Sequence, residues 1–355
     1  MHEEKEWSQK KHSIPSVIII ITKHDKEVIG MKKLVAFGIV VLLAVFSFAA
    51  PCKKAGAVAS EAQKKVFKVD EDSHILAEKI QRPEDVSWDA RNKRLIVGAE
   101  NGQIVAVDML GKATVLGTVT ESPKGLAVDA DGMIYICDDI NHQVLRFDPS
   151  TGKSTIYAQV ADFLRAAGDN PRIDAPYTCE FGPDGSLYVT CKGPRMEIRR
   201  VRPGGGEAEE WFVFSGKANP NGMCVRTDGS ALVVTETTKG EILEIPIGKD
   251  GRPGKPVSKG VIPESDCHGV LLDTEGGYWV TIYRPDSIAH ITPAGEVEFA
   301  LIDRYAWTMD GTLGVTWAGD NLDSLVWANR GGSSIGILKP GVRGIPRHQP
   351  KLGSK

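Results

Sequence analysis

The chain has 355 residues, of which 41% are hydrophobic and 25% charged, and a formal net charge of −3. Those figures describe a globular protein long enough to bury a large core. The first 57 residues hold nine Lys/Arg against five Asp/Glu, leaving the remainder at −7, which argues against a nucleic-acid partner.

At the N-terminus, residues 31–57 read as a secretory signal. Met31-Lys32-Lys33 is a charged start, residues 34–50 are almost wholly apolar, and small residues follow at Ala55-Gly56-Ala57. The pattern predicts a periplasmic or secreted protein with no stable membrane span after cleavage; an uncleaved anchor is the alternative, although the run is short for a span. Residues 1–30 are expected to be a non-native upstream extension, with translation starting at Met31. N-terminal sequencing of the precursor tests this.

From about residue 66 the chain repeats. The segments 82–108, 122–148, 175–201, 219–245, 265–291 and a looser 309–338 share one grammar: a residue before Gly or Asp, a short apolar strand, a turn, and a second apolar strand. Alternation such as Leu126/Val128 and Leu187/Val189 has the period of strands. Asp-Gly pairs at 131–132, 184–185 and 228–229 suit tight hairpin turns. Six repeats long enough for four strands each predict an all-β fold, a six-bladed β-propeller over residues 58–341. Residues 65–80 are expected to close the ring as a strand from the N-terminus. The one helical candidate is 159–169, and residues 342–355 read as a flexible tail. Trp88, Trp279, Trp307, Trp317 and Trp327 are expected between blades.

Six cysteines show no Cys-x-x-Cys pair and no zinc-finger spacing. Cys179 and Cys191 flank one hairpin and could bridge, but buried thiols are the expectation.

In a propeller the first residues of the innermost strands meet at one channel mouth. The leading positions are Glu84, Lys124, Tyr177, Asn221, His268 and Asp310, which would place carboxylate, ammonium, phenol, amide and imidazole around one opening. Such a ring can hold a small molecule or a metal. The loops 161–174 and 283–288 are expected over it.

Pro-Glu-Asp at 83–85, Pro-Asn-Gly at 220–222 with "DGSALVVTET", "KDGRPGKP" at 249–256 and "HGVLLDTEGGYWVT" from His268 resemble the regucalcin/gluconolactonase family of six-bladed propellers. The resemblance implies a divalent cation, Ca²⁺ or Zn²⁺, on Glu84, Asn221 and His268. It also implies opening of a lactone or related ester, with the cation polarising the carbonyl. His268 departs from the family's usual Asp, and Asp266 is two residues away. A family Asn-Asp pair in the third blade is replaced by Tyr177-Thr178. Imidazole in place of carboxylate favours softer metals than calcium. His268 and Lys124 are the catalytic candidates, His268 as base if it is not a ligand. Tyr177, Lys124 and Asp310 are the candidates for holding a small-molecule substrate in a monomeric enzyme.

Quieter readings stand beside these. Glu84 can pair with Lys124 across the channel, Asn221 can serve a turn, and His268 can bond a neighbouring carbonyl. Asp138, Asp139 and His142 suit loop fixing better than ligation. A non-catalytic propeller binding a ligand or a protein, or a metal-free member resembling the strictosidine synthase-like proteins, is the alternative function.

Overall fold

The computed structural model describes residues 66–352, apart from 70, 120, 121, 161–174 and 194. The segments 1–30 and 31–57 and the loop 161–174 therefore lie outside the described residues. So does most of the helical candidate; its first residue, Gln159, ends a strand.

All regular elements among the described residues are strands, grouped in six antiparallel sheets. Blade one is Asp85–Asp89, Arg94–Gly98, Gln103–Val107 and Ala113–Thr118. Blade two is Leu126–Val128, Ile134–Asp138, Gln143–Asp148 and Lys153–Gln159. Blade three is Ala175–Phe181, Leu187–Lys192, Glu197–Val201 and Glu209–Val213. Blade four is Pro220–Val225, Ala231–Glu236, Glu241–Pro246 and Val257–Val261. Blade five is Cys267–Leu272, Tyr278–Ile282, Ser287–Ile291 and Val297–Ile302.

Blade six takes Thr312–Ala318, Ser324–Asn329 and Ser334–Leu338 from the C-terminal end. Its fourth strand is Ser73–Glu78, which pairs with Ser334–Leu338 and ties the two ends of the ring together. The expected six-bladed propeller, closed by an N-terminal strand, is the observed fold. One addition is a two-residue strand, Gly206–Glu207, laid parallel on the outer edge of blade two.

Where a glycine follows the leading residue, the innermost strands pack too close to admit a side chain. A Cβ on Gly125 would stand 2.4 Å from the Cα of Thr178, and one on Gly222 would stand 2.4 Å from the His268 carbonyl oxygen. This explains the residue-before-Gly grammar, because the glycine lets the next blade approach. Hydrogen bonds then join blade to blade at the same level. Gly125 N donates to Tyr177 O at 2.7 Å and Gly314 N to Glu84 O at 3.1 Å. The hydroxyls of Thr178, Thr235 and Thr281 donate to the carbonyls of Asn221, His268 and Leu313. Five of the six inner strands thus have their leading carbonyl held by the preceding blade.

Between the blades lie apolar side chains. Trp88, Trp279, Trp317 and Trp327 are buried, and Trp279 meets Trp317 edge-on at 6.0 Å across blades five and six. Trp307 differs from expectation. It is 59% exposed, stacked on Tyr305 in the connection between those blades. Cys137, Cys179, Cys191, Cys224 and Cys267 are buried free thiols. Cys179 stands opposite Val189 rather than Cys191, so the hairpin places no bridge there.

The expectation of a loose C-terminal tail is corrected by its hydrogen bonds. Residues 343–350 cross the end of the channel opposite the leading residues and touch every blade. Gln349 donates to Trp88 O, Ala130 N to Pro350 O, Thr274 N to Arg343 O and Gly344 N to Leu322 O, while His348 Nε2 meets Arg226 O. Arg347 reaches inside, with Nη1 3.1 Å from Glu180 Oε2 in blade three and Nη2 donating to Val315 O at 2.8 Å. Burial pushes the Glu180 carboxyl up to about 7 while the Arg347 charge pulls it down. Burial likewise raises Asp85 to about 6 against the same guanidinium.

Arg347→Met leaves Glu180 buried without its counter-charge, a loss on the order of 3 kcal/mol. Because burial raises the folded pKa of Glu180 from 4.5 to about 7, ionising it opposes folding, and stability falls as pH rises between those values. The melting temperature of the variant should therefore fall further at pH 8.5 than at pH 5.5, where the carboxyl takes up its proton. An equal fall at both values would remove Glu180 from the account.

Candidate functional site

Pinning the carbonyls of Glu84, Tyr177, Asn221 and His268 sets where their side chains start. Glu84, Tyr177, Asn221, His268 and Arg330 line a cavity of about 330 Å³ at the end of the channel away from the tail, with Tyr283 and Arg284 on its rim. Lys124 joins this group through Glu84. Five of the six expected leading residues are brought together.

The sixth is not. Val315 pairs with Trp327 as Val270 pairs with Val280, so the position matching His268 is Leu313. Leu313 lines the cavity, whereas Asp310 lies three residues earlier in the approach turn, where its carbonyl accepts from Gly331 N. Asp310 therefore does not stand in the ring as a substrate-holding group.

Glu84 is engaged by cations. Its Oε1 is 2.9 Å from Lys124 Nζ and 3.4 Å from Arg330 Nε. Lys124 also bonds Ser122 Oγ at 2.9 Å and lies 3.8 Å from Asp139. Arg330 is held in turn by Glu100 at 2.9 Å. Opposite, Tyr177 Oη and His268 Nε2 are 3.2 Å apart. Lys192 Nζ sits 3.1 Å above the Tyr177 ring, a cation–π contact.

Electrostatics follow from this crowding. Burial, then the charges of Lys192, Lys124 and Arg330, hold His268 well below its ordinary range, so the imidazole is neutral at pH 7. Burial and the Glu84 charge push the Tyr177 phenol far upward, and it keeps its proton. Burial pulls the Lys192 ammonium down to about 7, with Glu84 opposing and Lys124 assisting. Four buried polar atoms of the lining residues lack a hydrogen-bond partner, His268 Nδ1, Asn221 Oδ1, Asn219 Oδ1 and Arg330 Nε; Asn221 Nδ2 donates to Thr237 Oγ1 at 3.3 Å.

The donor set does not fit a divalent cation on Glu84, Asn221 and His268. Asn221 Oδ1 is free to coordinate, but the only carboxylate of the three already faces Lys124 and Arg330. Lys192 adds a third positive charge to the same space. Asp266, the alternative third ligand, is 3.1 Å from Arg284. No group of three or more His, Cys, Asp or Glu among the described residues is placed to hold a metal ion. The fixed cations occupy the electrostatic role that a metal would need left vacant.

Lys192 and Arg330 were not among the sequence candidates, yet the repeat contains them. Counting five residues beyond Leu95, Ile134, Leu187, Leu232, Tyr278 and Leu325 gives Glu100, Asp139, Lys192, Thr237, Tyr283 and Arg330. This is a second ring, where each blade's second strand returns to the same mouth. Asp138, by contrast, fixes its loop as expected, accepting from Asn141 and Gln143.

Residues 176–328 match the family described as SMP-30/Gluconolactonase/LRE-like region, a stretch that includes Tyr177, Asn221 and His268. Solved structures share the fold. Regucalcin from Agrobacterium tumefaciens strain C58, described as a calcium-binding protein, is 17% identical; the match covers 82% of this chain and 100% of that one, with a TM-score of 0.67. A gluconolactonase from Xanthomonas campestris is 16% identical over 75% of this chain and 89% of that one, with a TM-score of 0.62. Virginiamycin B lyase from Staphylococcus aureus is 20% identical over 79% and 89%, with a TM-score of 0.53. No curated protein matches the sequence.

If Lys124 and Arg330 keep cations out, calcium or zinc at millimolar concentration should move the melting temperature by less than about 1 °C, since a ligand that does not bind cannot stabilise. The double variant Lys124→Met/Arg330→Met frees Glu84 and should bind zinc measurably by calorimetry. Tight zinc binding by the unaltered protein would overturn the assignment.

Proposed function

We propose that this propeller, with its SMP-30/gluconolactonase/LRE-like region at residues 176–328, opens a lactone or related ester at the Glu84–His268–Arg330 mouth. The observation that carries the reading is an imidazole bonded to Tyr177 that shares one cavity with Glu84 and Arg330 and is kept neutral by burial and the nearby cations. Ester opening needs a proton acceptor for water and positive charge for the oxyanion.

In the tautomer with its proton on Nε2, His268 donates to Tyr177 Oη and leaves Nδ1 as an acceptor. A water admitted to Nδ1, which is covered in the unliganded chain, gives up its proton as its oxygen attacks the carbonyl carbon. Arg330, with Lys124 behind it, supplies positive charge to the developing oxyanion. The surrounding cations disfavour the imidazolium, so it returns its proton to the departing alkoxide as the ring C–O bond breaks. The product is a hydroxy acid. Asn221 lines the same cavity and can turn its amide to a substrate hydroxyl.

A specific observation favours a second reading. The Glu84–Lys124 ion pair is also what a non-catalytic, ligand-binding propeller would keep. Export to the periplasm or medium is proposed with either, on the pattern of residues 31–57; mature chain confined to the cytoplasm in fractionated cells would remove it.

Turnover of a panel of small lactones and aryl esters, followed by acid release, separates the readings. His268→Gln should lower kcat/KM at least about 100-fold with the melting temperature unchanged. Since His268 is already neutral, kcat should stay level from about pH 6.5 to 8. No turnover of any member above background would leave the binding reading in place.

A further inference from the structure

The charges of the mouth do not cancel in place. Lys124 is matched by Glu84 and Asp139, and Arg330 by Glu100 and Glu84. Lys192 has no ion pair with any carboxylate among the described residues; its ammonium rests on the face of Tyr177. It reaches this position from the end of its strand, Leu187–Lys192, with the leading residue of its own blade beneath it. The charged and titratable groups coupled to it are Glu84 from blade one, Lys124 from blade two and His268 from blade five. Glu84 and His268 share the cavity lining with Thr237 from blade four, Tyr283 from blade five and Arg330 from blade six. Of these, Glu84 is the carboxylate whose charge acts on Lys192, and two other cations already share it.

We propose that Lys192 is an anion-binding residue, so that the mouth takes a small molecule carrying a carboxylate, which Lys192 holds together with Arg330. This deepens the lactone-opening reading by naming the substrate class, and rests on it only in using the same mouth. The Tyr177 ring holds the ammonium from below without pairing its charge with a carboxylate, so that charge is left for a ligand. The neutral His268 beside it does not compete for the anion. Burial supports the assignment, because a desolvated ammonium near pH 7 gains a proton when an anion arrives. Affinity for the anion should therefore be highest below pH 7 and fall as pH rises through that value.

Acetate and its uncharged counterpart acetamide, both small enough for the cavity, are the probes. They are titrated into the purified chain at pH 6 and pH 8.5 by calorimetry. Acetate should bind and acetamide should not, with acetate weakened about tenfold at the higher pH. Lys192→Met should weaken acetate at pH 6 at least about tenfold and abolish the pH dependence. Lys192→Arg, which keeps a charge that does not titrate there, should bind acetate equally at both pH values. Melting temperatures of both variants check that the fold is kept. Equal binding of acetamide, no binding of acetate, or undiminished acetate binding by Lys192→Met would each overturn the proposal. Acetate bound as expected in a protein that turns over no lactone would sink the hydrolase reading and leave this one standing.

Discussion

The molecule depends on one interaction repeated around the ring: the carbonyl at the head of an inner strand is held by a donor on the preceding blade. Buried backbone oxygens must be paired, and here pairing them also sets how far each blade leans towards the axis. Where a glycine follows the leading residue, the strands meet backbone to backbone and the carbonyl lies within reach. Blade one has Asp85 at that place. Its side chain substitutes for the missing backbone contact by accepting from Leu126 N and Val86 N. A constraint that exists to seal the ring thereby fixes the Cα positions from which Glu84, Tyr177, Asn221 and His268 reach the mouth.

Much of the fold was legible in the residues, because two strands, a turn and a glycine repeat with little variation. The site was legible to the extent that it follows the same repeat. Glu84, Lys124, Tyr177, Asn221 and His268 could be placed together from spacing alone. The looser sixth repeat contains two residue-before-Gly steps, Asp310-Gly311 and Leu313-Gly314, and only strand pairing decides for the second. Lys192 and Arg330 occupy a regular position too, but one that reads as the start of a turn. Nothing in the spacing tells how far their long side chains fold back over the opening. Tail residues such as Arg347 obey no repeat, and their place under the channel follows from bonds made to six different blades.

The chemistry of the mouth shows how a fold can keep its architecture and change its electrostatics. Glu84 and Asn221 fall where a resemblance to metal-binding relatives would put ligands, yet side chains one repeat position further on decide what they face. Lys192 and Arg330, with Lys124, turn a place suited to a cation into one suited to an anion. The imidazole follows: burial first, and then its positive neighbours, keep it neutral at rest, so it is free to accept. A ligand position carries meaning only together with the charges around it.

The two chain ends complete the propeller from opposite directions. The first described strand, Ser73–Glu78, finds its partner in Ser334–Leu338, and the strap at 343–350 is the last described segment to cross the ring. A ribosome making this chain releases the opening strand some 250 residues before its partner exists (a wait measured in tens of seconds at ordinary elongation rates). Blades can form one at a time during synthesis, but the circle and its fastening can form only after the final residues emerge. For that interval the edge of Ser334–Leu338 does not yet exist and the free strand must be kept from pairing elsewhere.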